Sequence, residues 1–191
     1  MALPALFRGE IVAAEPTDAA AGGGPPANGK TLTFVLQTQQ EEKWCWAATA
    51  VSVAVYYLAS TEWTQCKLAD AELLRDDCCG NGAAGPCNRP WYLHTSLGRL
   101  GRLKDWERRP SSFQTVMSEI DAGNPVCART RWGDGTAHFL ALVGYIEAGG
   151  EVADDFVVVA DPLYGPAQYT YAEFRDAYRG DGTWTHTYRC E

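Results

Sequence analysis

The chain has 191 residues, 46% hydrophobic and 21% charged. That balance excludes wholesale disorder and a collagen-like repeat, and it suits one domain with one continuous core. Sixteen Lys and Arg against 24 Asp and Glu leave a formal charge of −8, and with a pI near 4.9 the chain lacks the basic face that nucleic-acid binding needs.

Residues 1–30 read as a flexible tail or a removable pro-segment. Residues 14–29 are rich in Ala, Gly and Pro, and such a segment buries too little apolar surface to offset its ordering entropy. The opening MALPALFRGE has no basic segment leading into an apolar one, so no standard signal peptide is read there. The domain is expected over residues 31–191. A strand is expected over residues 31–37, where apolar and polar residues alternate at first. A helix follows over residues 45–59, with Ala47, Ala48, Val51, Val55 and Leu58 at 3–4 residue spacing. It is apolar on most sides, which predicts a central, buried helix. This run is too short to span a bilayer, and no other comes closer.

Residues 68–75 read as a short second helix, residues 76–90 as a turn-rich loop, and residues 91–100 as a helix ended by Gly101. Ser112 can cap a helix through Ala122, closed by Gly123. Strands are expected over residues 125–130, 137–147, 156–161 and 183–189, with a short helix over residues 171–178 between the last two. Helices first and strands second predict an α+β fold.

The seven cysteines are Cys45, Cys66, Cys78, Cys79, Cys87, Cys127 and Cys190. A reducing cytosol rarely hosts so many without a metal or a redox task. An odd total suggests one special thiol and three pairs. Cys66, Cys78, Cys79 and Cys87 are expected to form two disulfides, in any of the possible pairings. Cys127 and Cys190, both on expected strands, are candidates for a third. No metal site or cofactor is expected: no CxxC pair occurs, and the adjacent Cys78 and Cys79 cannot easily converge on one ion. Disulfide chemistry makes a secreted or exported protein the expectation.

Three residues carry the chemistry. Cys45 opens the apolar helix after a polar loop, where unpartnered backbone N–H groups and the helix dipole favour a thiolate. His138 opens an apolar strand and can take and return a proton near neutral pH. Asp161 ends another apolar strand just before Pro162 and can hold the second ring N–H of His138. His94 and His186 look structural or exposed.

The order Gln39, Cys45, His138, Asp161, together with Trp44-Cys45-Trp46-Ala47-Ala48, resembles the papain-like cysteine peptidases of clan CA. The Trp-Cys-Trp-Ala-Ala run is especially close to a bacterial subgroup related to plant-pathogen effector proteases. The double-glycine bacteriocin-processing peptidases share the Gln, Cys, His and Asp-Pro pattern. The resemblance spans about residues 31–190. It implies a helical half carrying Cys45 and an antiparallel sheet half carrying His138 and Asp161. It also implies a nucleophile at Cys45, a general base at His138, an orienting Asp161, and an oxyanion hole from Gln39 with the Cys45 N–H; Gln40 is the alternative. The better-known papain relatives carry Asn where this chain has Asp161. The implied activity is cleavage of protein or peptide substrates. A deamidase or acyl transferase using the same three residues, or a binding module with a remnant site, are the alternatives.

Overall fold

Val, Phe, Tyr and Thr crowd the second half of the chain, and there they build one antiparallel sheet. The computed structural model describes residues 28–191; the tail expected over residues 1–30 lies, up to residue 27, outside them. In chain order the elements are β1 (Asn28–Thr31), α1 (Cys45–Tyr57), α2 (Gln65–Leu73), α3 (Cys78–Asn81), α4 (Leu93–Arg99), β2 (Leu103–Glu107), α5 (Phe113–Asp121), β3 (Val126–Arg131), β4 (Ala137–Glu147), β5 (Phe156–Asp161), β6 (Gly165–Thr170), α6 (Tyr171–Ala177) and β7 (Thr183–Cys190). The sheet runs β2-β7-β3-β4-β5-β6, and β1 pairs with the far end of β4. This is the α+β arrangement that the order of elements predicted.

Each face of the sheet has its own core. On one face α1 packs with Phe139, Ala141 and Val143 of β4, together with Leu68, Leu93 and Leu97 of the other helices. On the other, Phe113, Val116 and Ile120 of α5 and Phe174 of α6 meet Leu140, Leu142, Val157, Val159 and Trp184. β4 therefore supplies alternate residues to both cores, which is why its sequence is a nearly unbroken apolar run. The first ten residues of α1 are all buried, as expected for a central helix. Its hydroxyls are satisfied inside: Thr49 donates to the Phe139 carbonyl at 3.1 Å, and Ser52 to the Ala48 carbonyl at 2.7 Å.

Local signals place several boundaries. The Ser112 hydroxyl accepts from Thr115 N at 3.1 Å to start α5, and Gly123, at φ +89°, follows its end. Gly144 lies where β1 crosses β4: a Cβ there would stand 2.7 Å from the Lys30 carbonyl oxygen.

Other expectations are corrected. Residues 32–37 are not a strand; the first strand lies earlier, over Asn28–Thr31. The alternation that suggested a strand has another cause. Leu32 is buried in one core and Phe34 in the other, so the segment crosses from one face of the sheet to the other. Strands β2 and β6 were not expected, nor was the short α3 inside the 76–90 loop.

The four clustered cysteines form two bridges, Cys66–Cys79 and Cys78–Cys87. The third pair is not made. Cys127 and Cys190 are buried thiols with sulfurs 3.8 Å apart. Cys127 faces Tyr188 across the sheet, so Cys190, two residues further along β7, is its diagonal neighbour. Diagonal positions sit about 7–8 Å apart, beyond what a disulfide comfortably spans.

Candidate active site

Cys45 is the first residue of α1, and Trp44 before it provides no side-chain cap. The N–H groups of the first turn are thus left without a capping side chain. The tryptophans on either side are fixed by the Cys-rich loop. Trp44 donates its indole N–H to the Cys87 carbonyl at 2.8 Å, and Trp46 to the Arg89 carbonyl at 3.0 Å. The Lys43 backbone N–H donates to Asn88 Oδ1 at 2.9 Å. The loop closed by Cys78–Cys87 therefore braces the start of the helix that carries the thiol.

His138 is the second residue of β4 and Asp161 the last of β5. Adjacent antiparallel strands bring both to one end of the sheet. His138 Nε2 lies 2.8 Å from Asp161 Oδ1, and both side chains are buried. An ionised carboxylate only accepts, so Nε2 carries the proton and Nδ1 is left for Cys45. Asp161 is held on every side. Oδ1 also accepts from Leu163 N at 2.7 Å and Tyr164 N at 2.9 Å, while Oδ2 accepts from the Tyr178 hydroxyl at 2.6 Å. Residues 161–164 thus form a turn around the carboxylate.

Burial opposes charge on His138, but Asp161 and the Cys45 sulfur beside it outweigh that and push its pKa up to about 9. Burial would raise the Asp161 carboxyl; its bonds from His138, Tyr178 and the Tyr164 N–H win and hold it below the usual carboxylate range.

Cys45 and His138 line one cleft of about 1140 Å³ between the helical half and the sheet. His94 and His186, expected to be structural or exposed, line it too. His94 stacks on Trp106 with ring centroids 4.7 Å apart, and His186 lies parallel to the same indole at 6.2 Å. They were overlooked because β2, which carries Trp106, gave no sequence signal.

Gln39 precedes Cys45 in the loop that leads into α1, and its N–H donates to the Pro162 carbonyl at 2.9 Å, tying it to the Asp161 turn. Its side-chain nitrogen is held by the carbonyls of Glu42 at 2.7 Å and Glu41 at 3.0 Å, and its Oε1 is buried with no partner among the described residues. Neither glutamine is among the residues that line the cleft; Gln40 lies beside Cys66 and Cys79 in a separate pocket. Tyr178 is the residue that sequence reasoning missed. No local pattern announces it, because it reaches Asp161 from the end of α6. Asp77 sits with Cys78 and Cys87 in a grouping of metal-ligand atom types, but those two sulfurs are bonded to each other. Among the described residues, no helix is long and apolar enough to cross a membrane.

Residues 31–188 match the model of the Peptidase_C39 like family. The chain belongs to that family. Its helical first half and antiparallel sheet are the papain-like fold, and membership points to a cysteine peptidase with a peptide substrate. A search of curated proteins returns no match.

Proposed function

We propose that the protein is a cysteine endopeptidase in which Cys45, His138 and Asp161 act as a triad. The observation that carries the reading is the buried pair His138–Asp161 at 2.8 Å, set beside a cysteine at an uncapped helix start in a single cleft. In this reading Cys45 reacts as a thiolate beside the imidazolium of His138, whose proton is held at neutral pH. The sulfur attacks the scissile carbonyl carbon. The Cys45 backbone N–H receives the oxyanion; Gln39 becomes the second donor when its amide leaves the Glu41 or Glu42 carbonyl that it holds in this structure. His138 then gives its proton to the leaving amine, and the acyl-enzyme forms. With that proton gone, His138 takes one from water as it attacks the thioester, and Cys45 leaves as the thiolate. Asp161 keeps the imidazole in the required tautomer throughout. Two disulfides support action in an oxidising, extracytoplasmic setting.

The test is incubation with a proteome-derived peptide library and mass-spectrometric detection of new termini, beside labelling with an epoxysuccinyl thiol inhibitor. Cleavage with label on Cys45 is expected. Release of ammonia from side-chain amides without new termini would replace the peptidase by a deamidase. Absence of both label and turnover would reject the triad.

A further inference from the structure

The arm of the cleft around Trp91 and Trp106 gathers three arginines. Outside the cleft, Arg75 pairs with Asp77, Arg99 with Glu72, Arg109 with Glu107, Arg175 with Asp176, and Arg189 with Asp105 and Glu107, while Arg102, Arg131 and Arg179 make no ion pair among the described residues. Arg89, Arg108 and Arg129 line the cleft, and among the described residues none of them is in an ion pair, in a chain with eight more acidic than basic residues. Arg108 and Arg89 lie over the rings of Trp106 and Trp91 at 5.5–5.7 Å. Arg129 is half-buried. It faces His186 across β3 and β7 and Phe139 across β3 and β4, and its Nη1 donates to the Thr185 hydroxyl at 3.0 Å. Burial pulls its guanidinium below its ordinary pKa. The carboxylates of the cleft lie in loops: Glu42 ahead of α1, and Asp134 and Asp181 beyond the ends of the strands, where Asp134 is engaged by Thr136 at 2.6 and 2.8 Å.

We propose that this arm is a specificity subsite for an acidic side chain of the peptide substrate, with Arg129 receiving its carboxylate. The inference rests on the peptidase reading above and adds the substrate class. A guanidinium has more N–H groups than its bond to Thr185 uses, and it matches a carboxylate through two parallel bonds. Its surroundings of Phe139, His186 and Tyr188 hold less water than a surface, so the attraction is screened less than between exposed ions. Arg108 and Arg89 sit on aromatic faces further along, adding positive potential that draws an acidic segment in. An uncharged side chain at the same place would leave Arg129 half-desolvated and unpaired.

The experiment uses the full chain and peptides that differ only by Glu or Gln at each of the positions flanking the scissile bond. At one position Glu should raise kcat/KM about tenfold or more over Gln, the size of one charge-assisted hydrogen bond in a partly buried site. High salt should shrink the ratio. Arg129→Met should bring it close to one, and Arg129→Lys should keep part of it. Binding of the same peptides to Cys45→Ala, read by calorimetry, separates the subsite from the chemistry. Tighter binding of the Glu peptide with no cleavage by the parent protein would keep the subsite and overturn the peptidase reading. Cleavage with a Glu-to-Gln ratio near one at every position would overturn the subsite and keep the peptidase, as would a ratio that survives in Arg129→Met. If Arg129→Met does not fold, the ratio in the parent protein and its salt dependence still decide.

Discussion

The Tyr178 hydroxyl donates to Asp161 Oδ2 at 2.6 Å, and both residues are about 1% exposed. The oxygen that does not face His138 is thereby occupied, so the carboxylate cannot rotate freely to present the other oxygen. Tyr178 packs in turn on Phe174, Tyr169 and Trp132. An aromatic cluster on the far face of the sheet thus fixes the carboxylate that bonds to His138.

Tyr178→Phe keeps that packing and removes one hydrogen bond to a charge, a loss of about 1.5–3 kcal/mol in stability. Turnover should fall modestly, by about tenfold, with KM little changed, and the pH at which His138 loses its proton should move down as Asp161 loosens. Steady-state kinetics across pH checks this. A Tyr178→Phe protein that melts lower but keeps the parent pH profile would confine Tyr178 to a structural role.

His138→Ala should lower kcat by three orders of magnitude or more while the fold persists, because both attack and leaving-group protonation run through that ring. Asp161→Ala should cost less in rate, since water can partly replace an orienting group. It should cost more in stability, because the Leu163, Tyr164 and Tyr178 donors lose their shared acceptor. Kinetics and thermal melts on both variants test the division of roles. Near-normal turnover by folded His138→Ala would remove it from the mechanism.

The residues that carry the site were readable because each sits at a sharp local boundary. Cys45 begins an apolar helix after a polar loop, and the strands over Ala137–Glu147 and Phe156–Asp161 are apolar runs bounded by turn residues. The edges of the sheet were not readable. β2 reads Leu-Lys-Asp-Trp-Glu and is largely exposed; it is held in place by β7, with Arg189 pairing to Asp105 and Glu107. β6 contains Gly165-Pro166, which argues against a strand except at an edge, and β6 is one. Losing β2 from view also hid Trp106, and with it the aromatic arm of the cleft where His94 and His186 lie. The Tyr178–Asp161 bond depends on the turn after α6, where Arg179 and Gly180 both have positive φ, and no periodicity encodes that.

The raised pKa of His138 sets a pH dependence. The folded protein holds a proton up to about pH 9, whereas the unfolded chain releases it near 6.5. This contribution to stability is complete below about pH 6.5 and is lost as pH rises toward 9. Asp161 acts in the opposite sense: its lowered pKa stabilises the fold above the ordinary carboxylate range and stops doing so as pH falls through it. Melting temperatures should therefore drop between pH 7 and 9.5 by more in the parent protein than in His138→Gln. The leaving amine needs the same proton, so kcat/KM should decline with a midpoint near pH 9. A flat rate from pH 7 to 10 would contradict the imidazolium assignment.

Gln39 and Gln40 should separate cleanly. Gln39→Ala removes an amide in the loop before Cys45 and should lower kcat about 100-fold, the usual cost of one oxyanion donor. Gln40→Ala, beside the disulfides and outside the cleft, should leave kcat unchanged within about twofold. Comparable losses in both would mean that the loop matters only as a scaffold.

The cysteines make the last prediction. The chain should contain two disulfides and three thiols, and only one thiol should react in the folded state. Cys45 lines the cleft, whereas Cys127 and Cys190 are wholly buried. Limited iodoacetamide treatment, followed by peptide mapping without reduction, should label Cys45 alone; Cys127 and Cys190 should label only after unfolding. A Cys127–Cys190 disulfide peptide would show that the strands can shift enough to close the diagonal pair. The Cys78–Cys87 bridge should matter to the active site as well as to stability. Replacing both of its cysteines by Ser should cost about 2–5 kcal/mol. It should also loosen the 87–89 segment that accepts from Trp44 and Trp46 and receives the Lys43 N–H. Alkylation of Cys45 should then change in rate at temperatures where the variant is still folded. A variant that melts lower but alkylates at the parent rate would show that the tryptophans hold the helix start without the bridge.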